Sequence, residues 1–183
     1  MAVSWGGKLA VALERWKSGL VDGLILLCPG FFPQVGLPLS KKLGILGTRL
    51  VAPERLFPIP LNDPELFTTS PAWREFIRMD PLALHHATAR FFVESVRLDR
   101  YLRGAAQHVD VPTLLLLAGQ DRIIRNDKTH HFFHKFATMD KNVITYPQAH
   151  HTLEYEPDPD RWLAEIGRWL DRHCQAGIAR IAP

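Results

Sequence analysis

Cysteine is scarce. Cys28 and Cys174 are the two present, far apart and outside any metal-ligating spacing, which argues against a disulfide framework and makes a reduced, cytoplasmic setting the expectation. Long apolar runs are missing as well: no stretch approaches the roughly 18 residues that a membrane span needs. The N-terminus has no basic segment followed by an apolar one, so no secretory signal is expected. Charge of one sign is not concentrated anywhere. Lys and Arg are scattered and the formal net charge is only +3, so there is no footprint for nucleic acid or for an anionic membrane. Internal repeats and low-complexity tracts are absent.

What is present suits one packed core. The chain has 183 residues, 46% apolar and 22% charged, enough for one domain or for one domain with a small cap, but not for two full domains. From Ser4 to Lys17 the residues Leu9, Ala12, Leu13 and Trp16 fall on one side at helical spacing, and Gly6 and Gly7 in the first turn point to a close backbone approach. Leu24 to Cys28 is a short continuous apolar run closed by Pro29-Gly30, the pattern of a strand buried on both faces of a parallel sheet. From Phe31 to about Thr69 prolines recur and no period holds, which predicts a loop-rich excursion.

Ser70-Pro71 and Asp80-Pro81 each pair an N-cap residue with proline at the first helical position, and the second is expected to open a long helix carrying Leu84, Phe91, Phe92, Ser95, Leu98 and Leu102. Val111 to Ala118 reads as another buried strand. Asn126 or Asp127 is expected to cap a helix bearing Phe132, Phe133 and Phe136, and Asn142 to Tyr146 is a shorter strand. Asp158-Pro159 begins a helix with Trp162, Leu163, Ile166, Trp169 and Leu170 inward and Arg172 near its C-terminal end. Helices alternating with apolar strands predict an α/β domain with a parallel sheet.

Three places offer chemistry. Ser4, in Ala2-Val3-Ser4-Trp5-Gly6, sits on a tight turn before a helix, with small neighbours that let strand and helix approach. The N–H of Trp5 would share that space at the positive end of the helix dipole, suited to holding an oxyanion. Asp121 follows a buried strand and a glycine, in the loop where open α/β sheets place their sites. His150 and His151 follow the last strand, where a histidine can act as a general base. Taken singly, each has a plainer reading that is preferred: an N-cap serine, a turn aspartate, a solvated or core histidine. Taken together, the order Ser, Asp, His at the ends of successive elements favours a triad. His130, His131 and His134 have no adjacent glutamate and are interleaved with aromatics, so they read as an ordinary helix and no metal site is expected. Gly44 to Gly47 lacks the lysine of a phosphate loop, so no nucleotide or other cofactor is expected.

Ala2-Val3-Ser4-Trp5-Gly6-Gly7 resembles the nucleophile elbow of the α/β-hydrolases, in particular the group of serine aminopeptidases, lysophospholipases and monoacylglycerol lipases. Ala118-Gly119-Gln120-Asp121-Arg122-Ile123-Ile124 is similar to their acid loop, Tyr146-Pro147-Gln148-Ala149-His150-His151 to their histidine loop, and Phe76 to Leu82 to a segment of their cap. The resemblance implies Ser4 as nucleophile, Asp121 as acid and His151 as base, with His150 the alternative one residue away. It implies a partial α/β-hydrolase fold of about three parallel strands with flanking helices, the core formed by residues 1–30 and 105–183 and a helical cap by 31–104. It also implies a serine hydrolase of carboxylic esters, acting on a small-molecule ester or acylglycerol. Aminopeptidase and thioesterase activities fit the same residues.

The sequence departs from the family in two ways. Ala2 replaces the first glycine of the elbow, and the match begins almost at the nucleophile. Earlier strands and the loop donating the second oxyanion N–H are therefore expected to be missing, a loss that typically costs about 100- to 1000-fold in rate. Leu24 to Cys28 would then face water as an exposed strand and promote self-association. The resulting expectation is a truncated, impaired hydrolase, or alternatively a non-catalytic binding or dimerising module.

Overall fold

A computed structural model describes residues 1–181, with side chains described as far as Cys174. Four strands form a wholly parallel sheet: β1 (Ala2–Val3), β2 (Leu24–Leu27), β5 (Thr113–Ala118) and β6 (Lys141–Tyr146), paired in that order. Three of these fall where the sequence predicts strands, β2 and β5 on continuous apolar runs and β6 on the mixed stretch ending at Tyr146. The fourth is the pair of residues ahead of Ser4, in register with Leu26 and Leu27.

That short strand changes one expectation. Leu24, Ile25, Leu26 and Leu27 are all buried, so β2 does not face water. Helix α1 (Trp5–Trp16) packs over it and β1 takes part of its backbone edge. Among the described strands β1 and β6 lie at the two ends of the order, and Val3 of β1 is exposed.

The inward face of α1 also differs from the expected one. Gly7, Lys8, Val11 and Glu14 are buried, whereas Leu9 and Trp16 are exposed. Two apolar-compatible faces lie on this helix, and the pairing of Lys8 Nζ with Asp99 Oδ1 at 2.6 Å lets the charged one turn inward.

Between β2 and β5 the chain is more regular than prolines suggest. Helix α2 (Leu39–Val51) occupies part of the expected loop. Leu39, Leu43, Leu46 and Leu50 do hold a helical period, but they face solvent while Ile45 is the buried residue. The antiparallel pair β3 (Leu56–Pro58) and β4 (His86–Thr88) follows, with helix α3 (Pro71–Met79) between its strands. Ser70 caps α3 as expected, accepting the Trp73 N–H.

Asp80-Pro81, however, opens no helix. Asp80 Oδ1 accepts the Leu82 N–H in a turn, and helix α4 (Ala89–Leu102) begins later, capped by Thr88 through the Phe91 N–H.

Helix α5 (Asn126–His134) has Arg125 at its N-cap position with no side-chain cap, because Asn126 Nδ2 is drawn to the Ala118 carbonyl at 2.7 Å. Helix α6 (Pro159–Ile181) buries Trp162, Ile166 and Trp169, but Leu163 and Leu170 are exposed. It continues past Arg172, which is therefore an exposed mid-helix residue and not a C-terminal one. No helix among the described residues is long and apolar enough to cross a membrane. The core is leucine from β2 and β5 against Val11, Phe133 and Trp169.

Candidate active site

The C-terminal ends of the parallel strands are where the chain must turn, and three turns place the predicted residues together. Ser4 occupies the junction of β1 and α1 with φ +46°, a left-handed conformation that costs a non-glycine residue energy. Its backbone is over-determined: the N–H donates to the Leu27 carbonyl, and its own carbonyl accepts from Gly7 and Gly30. Gly7 is required here, since a Cβ at that position would lie 2.6 Å from Pro29 Cβ; Gly6 has open space. The Ser4 side chain makes no N-cap bond. It points instead to His151, whose Nε2 lies 2.9 Å from Ser4 Oγ.

His151 follows β6 and is buried beside Asp121, which follows β5. Nδ1 and Asp121 Oδ2 are 2.7 Å apart, with side chains 4% and 0% exposed. The two loops approach through Gly119, where a Cβ would be 2.5 Å from the Pro147 carbonyl oxygen. Asp121 Oδ1 accepts the N–H groups of Ile123 and Ile124, which turns Oδ2 toward the imidazole. A carboxylate only accepts, so the Nδ1 proton belongs to His151 and Nε2 is free to accept from the Ser4 hydroxyl. This order of donors permits proton withdrawal from Ser4.

His150 is not at this junction. Its Nδ1 lies 3.2 Å from Glu156 Oε1, so of the two adjacent histidines it is His151 that meets Ser4. Trp5 is the first residue of α1, where backbone N–H groups have no intrahelical acceptor. Its indole Nε1 donates to Ser95 Oγ and its ring leans on Phe91, both on α4.

Sequence reasoning missed three neighbours. Phe67 packs edge-on to the His151 ring at 6.1 Å and its carbonyl accepts the Thr152 N–H. Glu156 accepts the N–H of His150, the residue before His151. Cys28 closes β2 with φ +40°, and its sulfur, a carboxylate oxygen of Asp121 and a ring nitrogen of His151 lie within 4.8 Å of one another. Burial, then the charge of Asp121, pushes the thiol far above its ordinary range. Both His151 nitrogens and both Asp121 oxygens already have hydrogen-bond partners, so the trio could ligate an ion only by giving up those bonds. Only the position of Cys28 after an apolar run hinted at it in the sequence.

A mainly apolar cavity of about 380 Å³ within residues 59–85 is lined by Ile59, Leu61, Phe67, Ile77 and Leu84, with Asn62, Arg78 and His85 among its polar groups. Phe67 is thus shared between the cavity wall and the His151 ring. A polar hollow of about 530 Å³ reaches Asp121 and is bounded by Gln34, Arg125 and Asp127.

The family described as serine aminopeptidase, S33, matches residues 1–158. A Schizosaccharomyces pombe protein assigned by name as a monoglyceride lipase is 22% identical over 149 residues, which are 80% of this chain and 37% of that protein. Among solved structures, the monoacylglycerol lipase of Paleococcus ferrophilus superposes with a TM-score of 0.83 at 19% identity, over 93% of this chain and 66% of its own. A soluble variant of monoglyceride lipase from Saccharomyces cerevisiae, bound to a substrate analog, superposes at 0.78 with 18% identity, over 93% and 60%. The chain therefore spans less than two thirds of each of these relatives.

Proposed function

Since the chain belongs to the serine aminopeptidase S33 family of α/β-hydrolases, we propose that it hydrolyses carboxylic esters at Ser4, with monoacylglycerol-like esters as the substrate class. The observation that carries this reading is the unbroken run of two hydrogen bonds from Ser4 through His151 to Asp121. In the proposed reaction His151 Nε2 takes the hydroxyl proton as Ser4 Oγ attacks the ester carbonyl. The imidazolium, held at Nδ1 by Asp121, then returns the proton to the leaving alcohol, and water releases the acyl group by the same steps in reverse. The Trp5 N–H faces the developing oxyanion from the end of α1. Residues 1–30 and 105–183 act as the core that carries these groups, and residues 31–104 as a cap.

The substrate class draws on the names of the relatives and on the apolar cavity bounded by Phe67, since an acyl chain gains about 0.8 kcal/mol for each methylene it buries. A fluorophosphonate probe tests the proposal directly. The expected result is covalent labelling of Ser4 in the folded protein, lost in Ser4→Ala. Folded protein that does not label would sink the reading and leave a non-catalytic, dimerising or binding module.

A further inference from the structure

The histidine loop contains a second His–carboxylate pair that the reaction does not use, and we propose that this pair holds the base in place: Glu156 is a positioning residue for His151, acting through His150. The proposal rests on the reading of Ser4 and His151 as nucleophile and base.

Most of the loop after β6 is secured by backbone bonds. The Ala149 N–H donates to Tyr146, the Ala149 carbonyl accepts from Gln120, and the Thr152 N–H donates to Phe67. The N–H end of that same Ala149–His150 peptide unit, one residue ahead of the base, is secured by a side chain. His150 N–H donates to Glu156 Oε1 at 2.7 Å, and the same oxygen lies 3.2 Å from His150 Nδ1. One carboxylate oxygen thus holds both the backbone and the ring of a single residue. Both side chains are only 16% exposed, so water and salt compete weakly with a charge-assisted bond.

This contact closes the chain from 150 to 156 into a ring that contains His151 and the 3₁₀ turn Leu153–Tyr155. His151 has to meet Asp121 and Ser4 at once, at 2.7 and 2.9 Å. The bond to Asp121 alone leaves the ring able to pivot about Nδ1. Anchoring both the backbone N–H and the ring of the residue before it restrains that freedom, and a displacement of about 1 Å at a reacting group can cost on the order of 100-fold in rate.

The test compares fluorophosphonate labelling of Ser4 and hydrolysis of a short p-nitrophenyl ester in the full chain, with thermal unfolding as the control. Wild type that labels, with Ser4→Ala that does not, establishes the reaction first; unlabelled wild type would remove both the reaction and the positioning role. Glu156→Ala is then expected to label about 100-fold more slowly and to lose kcat with little change in KM. Glu156→Gln, whose amide oxygen still accepts the His150 N–H, recovers most of that loss. Folded Glu156→Ala reacting at the wild-type rate, or Glu156→Gln as slow as the alanine variant, overturns the proposal while leaving the hydrolase intact. If Glu156→Ala does not fold, Glu156→Asp decides the matter, because its shorter side chain draws the carboxylate away from both the His150 N–H and the ring: slower labelling supports the role, and the wild-type rate overturns it.

Discussion

At the scale of single residues, the direction of each hydrogen bond matters more than its length. Asp121 Oδ1 is occupied by two backbone N–H groups, so in Asp121→Asn the oxygen is held there and the amide NH₂ turns toward His151. A donor facing Nδ1 moves the ring proton to Nε2, where it can no longer accept from Ser4. The expected consequence is a fall in kcat of about 10⁴, the loss seen for this change in the type case of such triads, with the fold retained. Circular dichroism together with ester hydrolysis checks it; an Asn variant within tenfold of wild type would exclude this role for Asp121.

At the scale of elements, the crossing of α1 over β2 decides what each glycine is for. The sequence presents Gly6 and Gly7 as one close-packed pair. A Cβ on Gly6 meets nothing within 4 Å, whereas one on Gly7 runs into Pro29. Gly6→Ala is therefore expected to stabilise the helix by about 0.5–1 kcal/mol, and Gly7→Ala to cost about 1–3 kcal/mol by overpacking. Denaturant midpoints measured side by side separate the two, and equal shifts would contradict the packing described. Such contacts also explain why α2 and the start of α4 were hard to read. The leucine period of α2 lies on its solvent face, and Thr88 caps α4 at the end of β4, a strand visible only through its pairing with β3.

At the scale of the whole molecule, stability has one conspicuous weak point. Glu14 is 1% exposed and neither carboxylate oxygen has a hydrogen-bond partner among the described residues. Burial raises its pKa, and Asp110 adds to the rise; the Gly19 N–H opposes it without reaching bonding geometry. Because the folded-state pKa lies above the unfolded one, the unfolded chain loses the proton first as pH rises. Stability therefore declines with rising pH from the unfolded pKa through the folded one, and is unaffected by Glu14 below both. Glu14→Leu is expected to raise stability by about 1–3 kcal/mol, with the gain larger at about pH 8 than at about pH 4. Unfolding curves at the two pH values measure it; a gain that is absent, or larger in acid, would contradict the sign.

Local pattern alone was sufficient for the strands β2 and β5, which are buried along their whole length and therefore continuously apolar, and for the chain order of Ser4, Asp121 and His151 in the loops at strand C-terminal ends; β6, buried only at Tyr146, was marked by Val143, Ile144 and the Pro147 that ends it. It could not choose between His150 and His151, orient α1, or find Glu156, Phe67 and Cys28 beside the histidine. All but Glu156, which reaches back six residues to His150, depend on which groups meet across 30 to nearly 150 residues of chain, and such meetings are set by packing of the sheet and its loops and not by any period in the sequence.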